Sequence, residues 1–282
     1  MVNSPNMSPP PAISVRLAAT PAEVHAAQRL RYKVFYEEWG AIPDALALSE
    51  ERDVEAFDDV TEHLIVIDHA RAAAGIDCGV VGNYRLLRSE DQHTLREFYS
   101  AREFDISRLL QSEARLLELG RSCVLQGYRN RPVLQLLWKA LAQYVAGHRI
   151  DIMFGCASFR GTDVSSIEEQ LAYLHHYHLA QPELRPHAIG TGRVSMDRLP
   201  SEQIVPARAI KAMEPLIRGY LRLGAGVGMG ACIDRPFNAI DVCIVLPTAD
   251  LTAKYVRHYE REGQLKLQRN MHADAAIVDE IA

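Results

Sequence analysis

Residues 116–159 constrain the fold more than any other part of the chain. They begin with an apolar run, continue through a loop and a long segment of helical periodicity, and end with a second apolar run. This order of strand, helix and strand is typical of a βαβ unit, in which a helix joins two parallel strands. The chain is therefore predicted to have an α/β fold built on a mixed central sheet.

Two charged residues interrupt the first strand of this unit. Glu118 and Arg121 stand at positions that a buried strand normally fills with residues such as valine. Because a buried charge is costly unless it is paired or used, these two residues mark a candidate site. The alternative is an ion pair that only holds the end of the strand.

The loop before the helix has the features of a phosphate site. Pro132 suits the first helical position, where its missing N–H costs nothing. Free backbone N–H groups at the helix N-terminus favour an anion, and Arg129 and Arg131 in the same loop add positive charge. Solvated loop charges are the competing interpretation of these two arginines.

Composition excludes several functional classes. The chain has 282 residues, 48% of them hydrophobic, which is enough to bury a sizeable core. A formal net charge of −5 argues against broad nucleic-acid binding. Five scattered cysteines without C-x-x-C spacing indicate neither a disulfide framework nor a zinc site. With no signal peptide and no long apolar run, a cytoplasmic protein is expected.

The pattern of breaks predicts one large domain between two tails. Residues 1–12 contain four prolines and are predicted to be disordered, and residues 263–282 form a second tail. The domain spans residues 13–262, with a helical insertion around 160–213. A helix is predicted to start at Thr20, which is followed by Pro21 and a capping-box Glu23. The irregular residues 41–57 after it have the length of a loop that covers a site.

Motifs in the first half resemble a known enzyme superfamily. The order of elements is similar to that of GNAT acyltransferases, whose central sheet splays between two strands. Within that superfamily, the pattern resembles acyl-homoserine-lactone synthases in four places, namely Arg31-Tyr-Lys-Val-Phe35 with Trp39, Glu55-x-Phe57-Asp58, Arg85, and Glu118-Leu-Gly-Arg121.

Motifs in the second half narrow the resemblance. They are similar to those of L-ornithine Nα-acyltransferases and comprise Phe154-Gly-Cys-Ala-Ser-Phe159, Gly219-Tyr-Leu-Arg-Leu-Gly224 and Asp234-x-x-Phe-Asn-x-x-Asp241. This resemblance implies transfer of a 3-hydroxyacyl chain from acyl carrier protein to the α-amine of L-ornithine, the first step of ornithine lipid biosynthesis. It implies no cofactor beyond the 4′-phosphopantetheine of the carrier protein, and it allows peripheral contact with the inner membrane.

One departure concerns the donor site. The superfamily's phosphate loop usually carries Gln/Arg-x-x-Gly-x-Gly/Ala, whereas residues 126–131 read QGYRNR. A carrier protein presents a single phosphodiester rather than a pyrophosphate. Fewer close backbone approaches are then needed, and the arginines can supply the remaining contacts.

The expected chemistry assigns a role to each candidate residue. Glu118 is predicted to take the proton of the attacking ammonium, because burial raises the pKa of a carboxyl. The resemblance gives Tyr220 the role of protonating the leaving thiolate, with aromatic packing as its alternative. A backbone N–H within residues 123–125, where the strand splays from its neighbour, is expected to bind the thioester oxygen.

An electrostatic cage for ornithine is predicted from residues of both signs, because the amino acid carries a carboxylate and a cationic side chain. An ion-pair network that pins the long loop is the alternative. The cage consists of Asp58, Arg85, Arg121, Arg31 and Glu55.

No metal site is predicted. His175, His176 and His178 share a helical stretch without an evident third ligand. Two other functions stay open at this point: an acyl-homoserine-lactone synthase, which would leave the C-terminal part without a task, and a non-catalytic haemolysin-like or acyl-binding protein. The charged strand residues Glu118 and Arg121 argue against the second, since an apolar sheath would not need them.

Overall fold

A computed structural model describes residues 12–91 and 97–249. The strands are β1 (Ile13–Leu17), β2 (Glu62–Asp68), β3 (Val80–Arg88), β4 (Phe104–Asp105), β5 (Leu116–Val124), β6 (Ile152–Arg160), β7 (His187–Ala188), β8 (Arg193–Val194), β9 (Gly226–Val227), β10 (Ala231–Asp234) and β11 (Ala239–Pro247). The helices are α1 (Pro21–Tyr32), α2 (Ala45–Glu50), α3 (His69–Ala73), α4 (Ser107–Leu110), α5 (Arg131–His148), α6 (Glu168–Tyr177), α7 (Pro206–Ala212) and α8 (Pro215–Leu223).

The central sheet has the strand order β1-β2-β3-β5-β6-β11-β10-β8, and β9 adds a short pairing to β11. All of these neighbours are antiparallel except β5 and β6, which run parallel and are joined by α5. The βαβ unit predicted from the sequence is therefore confirmed. It lies in the middle of the sheet, where both faces are covered.

Alternating side chains of β2 show how the two faces are buried. Ile65 and Ile67 pack with the buried alanines of α1, whereas Leu64 and Val66 join the large cluster that contains α5. Successive residues of a strand point to opposite faces, so an apolar run of this kind needs a helix on each side. Strands predicted over residues 63–68 and 80–87, with Gly75 between them, fit a hairpin, and the antiparallel pairing of β2 with β3 confirms it.

The first helix begins and ends as its sequence predicts. The Thr20 side chain accepts a hydrogen bond from the Glu23 N–H, and the turn after the helix ends at Gly40 with a φ of 78°. Between them, α1 continues as a π-helical segment, Lys33–Glu38, which the periodicity did not predict. This wider segment places Phe35 and Trp39 beside the candidate site described below.

The part after β6, where a helical insertion is predicted, contains α6, α7 and the short strands β7 and β8. The apolar residues 227–233 predict a single strand, but the structure has two, β9 and β10, because Gly230 adopts a φ of 85° and turns the chain between them. The predicted tails and the amphipathic helix predicted over residues 249–262 lie outside the described residues, apart from Ala12 and Ala249. In the part that the structure describes, no helix is long and apolar enough to cross a membrane.

Candidate active site

The two parallel strands separate in the middle of the sheet. Pairing of β5 with β6 stops after Glu118 opposite Phe154, although both strands continue for several residues. Gly155 lies where the paired part ends, and a residue with a side chain would not fit there, because a Cβ atom would lie 2.2 Å from the carbonyl oxygen of Leu119. The predicted splay between the strands is therefore confirmed. It leaves an opening whose walls are the inner edges of two strands.

A pocket of about 710 Å³ occupies this opening. Its volume lies within the range of ligand-binding pockets, about 300–1,000 Å³. Of the residues predicted to form a site, the structure brings four to its wall, namely Glu118, Arg85, Arg121 and Arg129. Aromatic side chains of Phe35, Trp39, Trp138 and Phe237 add apolar surface to the same wall. The pocket thus combines a charged part with an apolar part.

Glu118 is held firmly at the bottom of the split. Its two carboxylate oxygens accept hydrogen bonds from the backbone N–H groups of Ser100 and Tyr99, at 2.7 and 2.9 Å. Burial nevertheless raises the pKa of Glu118, and these hydrogen bonds offset only part of that rise. Each oxygen keeps a second lone pair, so the carboxylate can still accept a proton from a ligand.

Behind the wall, Arg31 is completely buried between two aspartates. Its guanidinium lies 2.6 Å from the Asp58 carboxylate and 2.8 Å from that of Asp53. Burial alone would raise the pKa of Asp58, but the hydrogen bonds and charge of Arg31, together with the charge of Arg85 and a hydrogen bond from Gln28, hold that pKa below its usual range. His63 lies next to this group, and burial lowers its pKa to about 4, so it is neutral at pH 7.

The other two arginines connect this group to the pocket. Glu55 accepts from Arg85 at 2.5 Å and from Arg121 at 2.9 Å, and Arg121 also lies 3.1 Å from Asp53. The guanidinium of Arg121 is sandwiched between aromatic rings, 4.3 Å from the centre of the Phe237 ring. Arg85 and Arg121 are thus fixed in place while facing the pocket.

The predicted ornithine cage is therefore divided by the structure. Arg85 and Arg121 line the pocket, whereas Arg31, Glu55 and Asp58 lie behind it. Asp58 pairs with Arg31, and Glu55 pairs with Arg85. The expectation that Asp58 faces the pocket with Glu118 needs correction, because Arg31 takes up its carboxylate. For these three residues the geometry favours an indirect role, in which they position the arginines of the wall. The sequence analysis did not identify Asp53, which completes this network of ion pairs. Its position two residues before Glu55 was the only signal that could have pointed to it.

Tyr220 lies at the far side of the split. It is buried on α8, and its hydroxyl is 3.2 Å from that of Tyr84 on β3. The two hydroxyls border a small void that adjoins the pocket along Gly120 and Cys156. Burial raises the pKa of Tyr220, as does the neighbouring Tyr84, so the hydroxyl keeps its proton at neutral pH. Tyr84 carried no signal in the sequence, where it is one aromatic residue of an apolar strand.

The next residues are those predicted to bind the acyl donor, in the loop before α5 and at the end of β5. Arg129 reaches the pocket, where its Nε donates to the Val124 carbonyl at 2.7 Å and its other end pairs with Glu38. The side chain of Arg131 lies outside what the structure describes. Of the backbone groups expected to bind the thioester oxygen, the N–H of Leu125 is excluded, because it donates to the Val81 carbonyl at 2.9 Å.

A second group of acids was also missed by sequence reasoning. The carboxylates of Glu103 and Asp241 and the thiol of Cys156 lie within 4.8 Å of one another, and Asp241 and Cys156 line the pocket. Burial raises the pKa values of both carboxyls, and the charge of Asp241 raises that of Glu103 further. The predicted histidine stretch is separate from these acids: His176 bonds to the Leu199 carbonyl and His178 to the Tyr173 hydroxyl.

Comparisons with known proteins bear on the fold class and the family of the chain. Residues 30–139 match the family model "Acetyltransferase (GNAT) domain", which confirms the predicted fold class. The L-ornithine N(alpha)-acyltransferase of Rhodobacter capsulatus is 43% identical over 252 residues, covering 89% of this chain and 96% of the relative. The enzyme of the same name from Brucella abortus is 42% identical, with coverages of 89% and 90%.

Solved structures with a similar arrangement are more distant. FeeM, an N-acyl amino acid synthase from uncultured soil microbes, has a TM-score of 0.43 at 12% identity, covering 86% of this chain and 94% of its own. The CoA-dependent acyl-homoserine lactone synthase BjaI, solved with SAM and isopentyl-CoA, has a TM-score of 0.45 at 15% identity and covers 95% and 98% of the two chains.

Proposed function

The chain belongs to the L-ornithine N(alpha)-acyltransferase family, and on this premise we propose that it transfers a 3-hydroxyacyl chain from acyl carrier protein to the α-amine of L-ornithine, giving lyso-ornithine lipid. The observation that carries the proposal is the pocket in the strand split, where buried Glu118 lies beside the paired arginines of one wall. In this proposal the reaction takes place in the cytoplasm, and the amphiphilic product then enters the inner membrane.

The arginine wall accounts for how the acceptor binds. Arg85 and Arg121 retain N–H groups beyond those used by Glu55 and Asp53, since a guanidinium has five. They are suited to the α-carboxylate of ornithine. Because the α-amine is attached to the same carbon, a bound carboxylate brings the amine next to positive charge, which lowers the pKa of the ammonium and favours the neutral nucleophile.

Glu118 then accepts the proton that the amine must lose. Burial raises the pKa of Glu118 and so brings it closer to the pKa of an ammonium group. Proton transfer from the ammonium to Glu118 is therefore less unfavourable. After the amine attacks the thioester carbonyl, the intermediate collapses and expels the phosphopantetheine thiolate. Tyr220 would supply a proton to that thiolate, because its hydroxyl lies at the other side of the split and stays protonated at neutral pH.

The donor arm of the carrier protein would enter past the loop before α5. Its phosphodiester needs positive charge at the pocket mouth, which Arg129 provides and Arg131 is predicted to provide. The apolar surface of Trp39 and Trp138 then suits the acyl chain.

Removal of both loop arginines tests this donor site. Arg129→Ala with Arg131→Ala is expected to raise KM for acyl carrier protein about tenfold and to make kcat/KM less dependent on salt. Steady-state kinetics across a salt series would measure both effects. Arg16→Ala with Arg208→Ala removes the same charge from surface ion pairs away from the pocket and serves as the control. An unchanged KM with an unchanged salt slope would place the carrier protein on another surface.

The function itself is tested by lipid analysis and by reconstitution. Mass spectrometry of cells that express the protein should find a new amide-linked 3-hydroxyacyl ornithine, absent with Glu118→Gln. Purified protein with acyl carrier protein charged with a 3-hydroxyacyl chain should form the same product from L-ornithine. Product formation only from S-adenosylmethionine would instead identify a homoserine-lactone synthase, and no product with either acceptor would indicate an acyl-binding protein.

A further inference from the structure

Two groups of acids near the pocket have different surroundings. Asp53, Glu55 and Asp58 each pair with at least one arginine. Glu103 and Asp241, which we call the carboxylate pair, have no ion-pair partner among residues 12–91 and 97–249. Two buried carboxyls side by side without a cation are unusual, because burying negative charge is costly unless a positive charge balances it.

One atom of the carboxylate pair lacks even a hydrogen-bond donor. Asp241 is 4% exposed, and its Oδ1 has no hydrogen-bond partner within the described parts of the chain. Asp241 lines the pocket, so a ligand bound in the pocket can reach this oxygen. The neighbouring Cys156 thiol, 3.7 Å from Glu103, is at most a weak donor. The site therefore calls for a cationic hydrogen-bond donor.

We propose that the carboxylate pair binds the δ-ammonium of L-ornithine and thereby selects this amino acid over those with an uncharged side chain. The inference rests on the proposed function and deepens it, because it assigns the side-chain end of the acceptor. An ammonium group has three N–H donors, enough for the free oxygen of Asp241 and for Glu103 together.

The chemistry of the reaction decides which amine of ornithine lies here. Nearby negative charge stabilises the protonated form of an amine. The α-amine must become neutral to attack the thioester, and for this it needs a single carboxylate, Glu118, that takes its proton. Two carboxylates around an amine would instead hold it in the charged form, which suits the δ-amine because it stays charged throughout. The α-end belongs at Arg85 and Arg121, whose positive charge has the opposite effect.

Glu118 and the carboxylate pair are neighbours on the wall of one pocket. Ser100 contacts both: its backbone N–H donates to Glu118, and its hydroxyl lies 3.6 Å from the Cys156 sulfur beside the carboxylate pair. Glu118 and Asp241 also line the same pocket. In this proposal the α-amine of one ornithine molecule lies at Glu118, and its δ-ammonium, three methylenes from the α-carbon, lies at Asp241.

Paired acceptors test the assignment. Norvaline has the carbon chain of ornithine and a hydrogen in place of the δ-ammonium. Wild-type protein is expected to prefer ornithine over norvaline by about 100-fold in kcat/KM, since a site built around a polar group rejects the analogue that lacks it. Asp241→Asn and, separately, Glu103→Gln should lower kcat/KM for ornithine at least tenfold and change that for norvaline less than threefold. Asp59→Asn, at an exposed acid, is the control.

Calorimetry with each amino acid and no acyl donor measures acceptor binding separately from acyl transfer. Ornithine should bind wild-type protein and bind Glu103→Gln and Asp241→Asn at least tenfold more weakly, whether or not acyl transfer is detected. A parallel fall in kcat/KM for both acceptors, or equal ornithine affinity in all proteins, would overturn the inference. So would stoichiometric binding of Zn²⁺ or Mg²⁺ alone that Asp241→Asn abolishes, because the pair would then be a metal site. Failure of the proposed function would appear as absent transfer with ornithine binding intact.

Discussion

Glu118→Gln is expected to lower kcat for acyl transfer by about 10²–10⁴, the usual contribution of a positioned general base. The amide has nearly the shape of the carboxylate but cannot take the proton of the ammonium. Steady-state rates with acyl carrier protein and L-ornithine at saturation would measure the loss. Turnover within threefold of wild type would remove Glu118 from the mechanism.

The pH profile separates proton transfer from loop anchoring. Because burial raises the pKa of Glu118, wild-type kcat should increase with pH until this carboxyl has ionised and then level off. The glutamine variant should lose that ionisation from its profile. If Glu118 only anchors the loop, the glutamine variant should behave differently. Its amide N–H₂ would face the backbone N–H of Tyr99 or Ser100, two donors would oppose each other, and the loop would be displaced. Thermal stability would then fall, while the remaining activity would show the same pH dependence as wild type.

Glu118→Asp provides the matched variant. It keeps the carboxylate but shortens it, so the hydrogen bonds to the loop weaken while a base remains. If Glu118 acts as the base, kcat of Glu118→Asp should be at least tenfold higher than that of Glu118→Gln. The pH profile of kcat for Glu118→Asp should again show the ionisation of a carboxyl. Equal losses for the two variants, with equal drops in Tm, would indicate that Glu118 only anchors the loop.

Arg31→Met is expected to reduce the free energy of unfolding by about 3–5 kcal/mol, the usual effect of removing one partner from a buried ion pair. The side chain is 0% exposed and is the closest cation to both Asp53 and Asp58. Methionine fills a similar volume but leaves two carboxylates without their main partner. Urea unfolding at pH 7 would measure the change.

The exposed pair of Arg16 and Glu23 supplies the control. Its 2.5 Å contact is as short as those of Arg31, yet the Arg16 side chain is 46% exposed, so Arg16→Met should cost about 0–1 kcal/mol. The pH dependence gives an independent check. Arg31 holds the pKa of Asp58 below its usual range, so this stabilisation is present above the pKa of an unfolded aspartate, about 3.9, and is lost as the pH falls below it. The deficit of Arg31→Met should therefore shrink in acid. A deficit under 1 kcal/mol, or one that is constant with pH, would contradict the role assigned to Arg31.

The sequence by itself determined the centre of the fold and part of the candidate site, including Glu118. Periodicity and chain breaks defined β5, α5 and β6, because the pattern of a βαβ unit is local and repeats over many residues. Glu118 was recognised because a charged residue is unusual within an apolar strand. This signal lies in the neighbouring residues of the sequence and does not depend on knowing which residue Glu118 contacts. The family could be identified for a related reason, since its motifs are short and follow one another in a set order.

Only the tertiary structure decided which charges face the pocket. Nothing in the sequence separates Arg31 from Arg85 and Arg121. In the structure Arg31 is enclosed by aspartates, whereas Arg85 and Arg121 reach the pocket wall. Their directions depend on helix packing and on a bulge in β5. Glu103 and Asp241 are distant in the chain and come together through the register of β6 with β11 and the path of the loop before β4. Contacts of this kind depend on how separate elements pack, which no local pattern of residues records.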